Sequence, residues 1–193
     1  MFEAKTKKRT GKPQFLQGTW LLFCFFFFST PAFSQGNLMP GVEIQAYPAG
    51  IITSAQLSYI YSEKQLFTVN IGLNTTDRRD WGEHDNEEGS GSGFGLGWRH
   101  YFRSATRGFN VGVRTDVWFL SIDWIENVGA VGTTDITVVQ PTAQLGYSLP
   151  LKDERWIIQG SVSLGAEINV QTEGEPVGEG AILLAGVSVG YRL

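Results

Sequence analysis

Residues 65 to 75 read Gln65-Leu66-Phe67-Thr68-Val69-Asn70-Ile71-Gly72-Leu73-Asn74-Thr75. Successive side chains of an extended chain point to opposite faces. Phe67, Val69, Ile71 and Leu73 therefore share one face, and Thr68, Asn70, Gly72 and Asn74 share the other. This is a β-strand with one apolar side. Residues 156 to 170 repeat the pattern, with Trp156, Ile158, Val162, Leu164, Ile168 and Val170 opposed to Gln159, Ser161, Ser163, Gly165, Glu167 and Asn169. No segment with a helical period competes with it.

The same test places strands near Gly41 to Tyr47, Thr53 to Tyr61, Gln65 to Thr75, Gly93 to Phe102, Phe109 to Leu120, Ile136 to Leu149, Arg155 to Val170 and Ala181 to Leu193. Eight is an even number, as a closed up-and-down barrel with both termini on one side requires. About 10 residues tilted by about 40° cross the apolar band of an outer membrane, roughly 25 Å tall. All the strands but the first reach that length comfortably. The fold class predicted is all-β, an eight-stranded antiparallel transmembrane β-barrel.

Alternation alone does not say which face points outward, since a soluble barrel with an apolar interior has the same period. The polar face decides: a water-exposed surface should be rich in Lys and Glu, but here it is mostly Gly, Ser, Thr, Asn and Gln, without Lys. Small uncharged groups suit a narrow lumen. With the N-terminus periplasmic, the expected periplasmic turns are Ser62 to Lys64, Arg103 to Gly108 and Pro150 to Glu154. The expected external connections are Pro48 to Ile52, Thr76 to Ser92, Ser121 to Asp135 and Gln171 to Gly180, longer in all but the first case, as membrane barrels favour. These hold Asp77, Asp80, Glu83, Asp85, Glu87, Glu88, Asp123, Glu126, Asp135, Glu173, Glu175 and Glu179 against only Arg78 and Arg79, whereas Lys64 and Lys152 fall in periplasmic turns. Beside those turns, on the apolar face, stand Tyr61, Phe67, Phe102, Phe109, Trp156 and Tyr191, an expected interfacial aromatic girdle.

The first 34 residues differ from the rest. A basic stretch (Lys5, Lys7, Lys8, Arg9, Lys12) runs into an apolar block that includes Leu21 to Phe28, and Ala32-Phe33-Ser34 places small residues where a signal peptidase reads. The expected division is a signal peptide over 1–34 and a barrel domain over 35–193. Cys24, the only cysteine, lies in the leader, so the remainder has no thiol chemistry. Those 159 residues hold ten basic and 18 acidic side chains, a net charge of −8. A nucleic-acid partner is disfavoured.

The leader, the eight alternating strands, the segment Gly95-Leu96-Gly97-Trp98-Arg99-His100-Tyr101-Phe102 and the closing Gly186-Val187-Ser188-Val189-Gly190-Tyr191-Arg192-Leu193 together resemble the small outer-membrane β-barrel domain family of Gram-negative bacteria. The resemblance covers essentially the whole chain after the leader. It implies an outer-membrane location and passage through the outer-membrane assembly machinery, which reads a last strand that usually ends in an aromatic residue. Here Leu193 is terminal and Tyr191 stands two positions earlier. The family includes adhesion-like, structural and porin-like members, so the resemblance specifies architecture and not activity.

Candidate chemistry is sparse. Glu43, Asp116 and Glu167 face Arg99, Arg114 and Arg192 on the lumen side. Unpaired, each charge would carry a burial cost of several kcal/mol, so a paired network plugging the lumen is expected, with a gated or selective passage as the alternative. The glycine-rich segment from Gly89 to Gly97 lacks the last glycine of a phosphate-binding loop and opens a strand rather than a helix, so that reading fails. A lipid-modifying enzyme would need His, Ser and a carboxylate converging near the outer leaflet. His100 shares the apolar face. His84 is read as a solvated histidine in the acidic loop, with Ser90 nearby in sequence. That loop could bridge divalent cations to lipopolysaccharide phosphates, since hard cations prefer carboxylate oxygens, though it lacks the ligand spacing of a calcium loop. The expected function is thus non-enzymatic, in a monomer without cofactor or metal, whose partners are outer-membrane lipids and lipopolysaccharide. A narrow pore and a lipid-modifying enzyme are the alternatives.

Overall fold

The computed structural model describes residues 37–79, 82–126, 129–151 and 153–193. The expected signal peptide, Asp80 and Lys152 lie outside the described residues. Eight strands follow in chain order: β1 (Leu38–Tyr47), β2 (Gly50–Ser62), β3 (Gln65–Arg79), β4 (Asn86–Tyr101), β5 (Gly108–Ile125), β6 (Val131–Pro150), β7 (Trp156–Glu173) and β8 (Gly180–Tyr191). Each pairs antiparallel with its neighbours, and β1 closes the ring on β8, Gly41 opposite Gly190 through Ala46 opposite Ala185.

The faces are sorted as a membrane barrel requires. Val69, Ile71 and Leu73 on β3, Leu96 on β4, Val113 on β5, Leu164 on β7 and Val187 on β8 are exposed on the outside. Gln56, Asn70, Asn110, Gln140, Gln144 and Gln159 are buried within. A soluble barrel would reverse this arrangement, because about 25 cal/mol for each Å² of apolar surface opposes leaving so many large side chains in water.

The ring has two irregularities. Pro141 sits mid-strand in β6, opposite Thr115 of β5, and the ladder to β7 skips from Val139–Ile168 to Thr142–Gly165. Proline has no N–H to donate, so β7 is loosened beside Glu167. The wall is also uneven: the β1–β2 hairpin turns at residues 48–49, well below the ends of β3 and β8.

The strands overrun their expected ends. Most of Thr76 to Ser92 and of Ser121 to Asp135 is ladder rather than loop, paired from Thr76–Gly89 to Arg79–Asn86 and from Ser121–Asp135 to Ile125–Val131, and β7 runs on to Glu173. The connections measure two, six, five and six residues at this far end, against two, six and five at the end carrying the termini. The expected contrast of long and short loops is therefore absent. The outward side chains there turn polar, as at Ser90, Ser92, Thr133 and Asp135. Hydrophobic alternation disappears while backbone pairing continues, because pairing does not need an apolar face.

Candidate functional site: the lumen and the far rim

Side chains from opposite walls meet across the lumen at four levels. At the near end, where the termini lie, Met39 of β1, Ile60 of β2, Leu66 of β3, Tyr101 of β4 and Ile157 of β7 form a buried apolar cluster, with Ala105 from connection 102–107 packed against it. Their strands stand on different sides of the ring, so the cluster closes the near mouth.

Above it lies an ionic and amide layer. Arg99 of β4 donates from Nε to Gln144 Oε1 at 2.9 Å and from Nη1 to Gln159 Oε1 at 2.7 Å, with its Nη2 3.9 Å from Glu43 Oε1. Arg114 of β5 donates from Nε to both oxygens of Asp116, at 2.9 and 2.7 Å, and from Nη1 across the barrel to Glu43 Oε2. Two guanidinium groups thus face two carboxylates. Gly95 of β4 makes room for the pair: a Cβ there would run into Asp116 Oδ1.

The third level is apolar again. Trp118, Leu120 and Ile122 of β5 meet Tyr47, Ile52, Ile136, Val138, Ile182 and Leu184 from four other strands. Trp118 satisfies its indole N–H on Gln140 Oε1 at 2.8 Å, as a buried Trp generally must. Val177, from connection 174–179, is folded down into this cluster.

The fourth level ties that connection in place. Arg78 of β3 reaches Glu167 Oε2 on β7 at 2.8 Å, the Gly178 carbonyl at 2.5 Å and Glu87 Oε2 of β4 at 3.4 Å. Glu87, with none of its surface exposed, also accepts from the backbone N–H groups of Glu83, His84 and Gly178.

Of the six charged residues read as one lumen network, four stand together: Glu43, Arg99, Arg114 and Asp116. Glu167 belongs to the separate upper cluster. Arg192 stands apart from the four: β8 ends at Tyr191, and Arg192 lines a cavity at the near rim with Ile60, Arg103 and Thr106. Arg78 and Glu87, counted in the sequence as loop charges, are buried. The parity of β3 and β4 could have found both, since Arg78 continues the inward series of Thr68, Asn70, Asn74 and Thr76, and Glu87 that of Arg99 and Tyr101.

His84 is likewise not solvated. Its ring stacks on Trp124 with centroids 4.2 Å apart and 10° between planes, and Nδ1 lies 3.3 Å from Glu126 Oε1. No hydroxyl bonds to it among the described residues, and Ser90 points outward from β4. The outward carboxylates line up from strand to strand instead. Asp77 of β3 is directly opposite Glu88 of β4, which is directly opposite Asp123 of β5, while Asp135 of β6 is opposite Glu173 of β7. Among the described residues no three groups of metal-ligating type converge on one point.

Near the termini, Tyr61, Phe67, Phe102, Phe109, Trp156 and Tyr191 all lie on the outside. They meet edge to face in pairs, Tyr61 with Phe67 at 5.9 Å and Trp156 with Tyr191 at 5.0 Å, while Phe109 meets Tyr147 at 4.8 Å and His100 lies between Trp98 and Phe102. Tyr147 and Trp98 extend the band beyond the residues singled out in the sequence.

Among solved structures, Neisserial surface protein A matches with a TM-score of 0.53 over 83% of this chain and 98% of its own, at 8% identity. The fold is that of the eight-stranded outer-membrane β-barrels. The N-terminal β-barrel domain of Pseudomonas aeruginosa OprF aligns over 82% of this chain and 98% of that domain, at 15% identity and a TM-score of 0.46. Ail of Yersinia pestis, solved with the heparin analogue sucrose octasulfate, aligns over 81% and 97%, at 8% identity and 0.47. No protein-family model and no curated protein sequence matches the chain. At these identities the likeness is one of outer-membrane barrel architecture.

Proposed function

We propose that the chain is a non-enzymatic outer-membrane protein, both termini periplasmic, whose strands carry an acidic rim above the outer leaflet. Through divalent cations held there from solution, the rim contacts lipopolysaccharide phosphates. The observation that carries the reading is the division of labour between the two faces. Inside, opposite walls are joined at four levels, so the barrel serves as a rigid support rather than a passage. Outside, five carboxylates on five consecutive strands lie just beyond the apolar belt, where anionic lipid heads would stand. Like charges directly opposite one another destabilise a sheet, and a shared divalent cation relieves that repulsion. The aromatic band at the other end supports insertion in a membrane, since Trp and Tyr favour membrane interfaces.

Planar-bilayer recording with the purified chain tests the support role: no reproducible single-channel steps are expected. Steps altered by Arg114→Met would make the narrow pore the better reading. Lipopolysaccharide binding in calcium and in chelator tests the rim. It should need the cation and should weaken when Asp77, Glu88 and Asp123 are replaced by amides; binding that ignores both changes refutes the cation bridge.

A further inference from the structure

The barrel wall has a side window at its far end. The β1–β2 hairpin stops at Tyr47–Gly50, and the β1–β8 ladder stops at Ala46–Ala185. Strand β8 nevertheless continues through Leu184 to Gly180, paired only with β7, and beyond Asp77, whose N–H still donates to the Ala49 carbonyl, β3 continues through Arg78 and Arg79, paired only with β4. Five residues at about 3.3 Å each leave roughly 16 Å of β8 edge without a neighbour. A cavity of about 240 Å³ fills this gap above Pro48 and Ala49. Its lining comes from both faces of the wall. Leu164 and Leu183, directly opposite one another, face the membrane, whereas Arg78 and Glu167 are buried on the lumen side. The cavity therefore leads from the apolar belt to a buried ion pair.

The charges there do not balance. One guanidinium, Arg78, serves two carboxylates, Glu87 and Glu167. Glu87 is also held by three backbone N–H groups. Glu167 accepts only from Arg78, at Oε2; its Oε1 is buried and has no hydrogen-bond partner among the described residues. A third carboxylate, Glu179, stands at the cavity mouth. The excess negative charge thus rests at Glu167, and a buried carboxylate oxygen without a donor is costly. An ammonium would supply both the donor and the missing positive charge.

We propose that this window binds a membrane amphiphile bearing a primary ammonium. The ammonium donates to Glu167 Oε1, and the alkyl chain lies over the Leu164–Leu183 pair. The inference rests on the outer face being membrane-embedded, and it is independent of the lipopolysaccharide contact.

The test is native mass spectrometry of the full chain released from nonionic micelles, with folding checked by heat-modifiable gel mobility. Dodecylammonium should be retained at one per barrel and at least tenfold more strongly than N-dodecylacetamide, which keeps the chain and loses the charge. Glu167→Gln should abolish that preference, and Ala181→Trp, at the exposed lip of the window, should abolish retention itself. Glu173→Gln, on the outward rim, should change neither. Equal retention of the two ligands, or a preference surviving both window variants, overturns the proposal. So does displacement by millimolar ethylammonium, which would make a soluble amine the occupant. If Glu167→Gln does not fold, the Ala181→Trp result decides alone. A barrel that retains both ligands equally and still needs calcium to bind lipopolysaccharide fails here only.

Discussion

Replacing Arg114 by Met puts the central ionic layer to its hardest test. Met keeps much of the side-chain length while removing five N–H donors and the positive charge. Arg114 holds Glu43 and Asp116, both buried, and the nearest remaining cation is Arg99, 3.9 Å from Glu43 Oε1 and already bonded to Gln144 and Gln159. The variant therefore strands one net negative charge in the lumen. Breaking a buried pair by removing one partner costs about 3–5 kcal/mol, a shift of roughly two to three and a half orders of magnitude in the folding equilibrium. Urea unfolding from lipid vesicles, followed by tryptophan fluorescence, measures this directly. The sharper measurement adds Glu43→Gln to the same chain. That second change restores the balance, one carboxylate to one guanidinium, so the double variant should be more stable than Arg114→Met alone although it lacks more hydrogen bonds. If the single variant loses less than about 1 kcal/mol, or the double variant is the weaker of the two, the layer is hydrated and screened and the charge argument is wrong.

Gly95→Val should press on Asp116 and cost about 1–3 kcal/mol, as overpacking does, read as a lowered urea midpoint; an unchanged midpoint would mean that Asp116 is free to move. Trp118→Ala empties the upper apolar cluster and should cost about 3–5 kcal/mol in the same assay. Glu88→Gln removes a carboxylate that faces two others and should stabilise the barrel by about 0.2–1 kcal/mol in low salt, less in high salt as screening grows; no salt dependence would count against the rim reading. With both termini periplasmic, a membrane-impermeant maleimide on intact cells should label Glu173→Cys and leave Glu154→Cys unlabelled, and the reverse pattern would invert the barrel.

The sequence made the sheet legible because burial and period coincide over the apolar belt: Phe67 to Leu73 alternates as cleanly in the structure as in the letters. Legibility ended where the outward residues stopped being apolar. At Glu88, Ser90 and Ser92 both faces are polar or glycine, so the ladder looked like a loop, and Arg78 and Glu87 were set outside although their parity already placed them inside. The ionic layer was half legible for a different reason. Parity gives the face of a residue but not its height, and height separates Glu167 from Glu43 and Asp116. Height depends on the stagger between neighbouring strands, which no single strand encodes. The window was illegible altogether, since it arises from the β1–β2 hairpin turning early relative to β3 and β8.

Stagger also explains why a membrane barrel carries buried charges at all. The alternation that sorts the faces has period two, so a strand that slips by two residues keeps every side chain on its proper side. Hydrophobicity is nearly blind to that error. A two-residue slip of β5 is not neutral for the lumen, because it carries Arg114 about 7 Å along its strand, away from Glu43 on the opposite wall. The same slip draws Trp118 off Gln140, its indole N–H partner. Each displaced ion then costs several kcal/mol, while the correct register satisfies them together. A well-packed apolar lumen could be as stable as this one, since replacing buried ion pairs by hydrophobic groups is often neutral or better. It would not discriminate between registers two residues apart, and that discrimination is what the network across β1, β4, β5, β6 and β7 supplies.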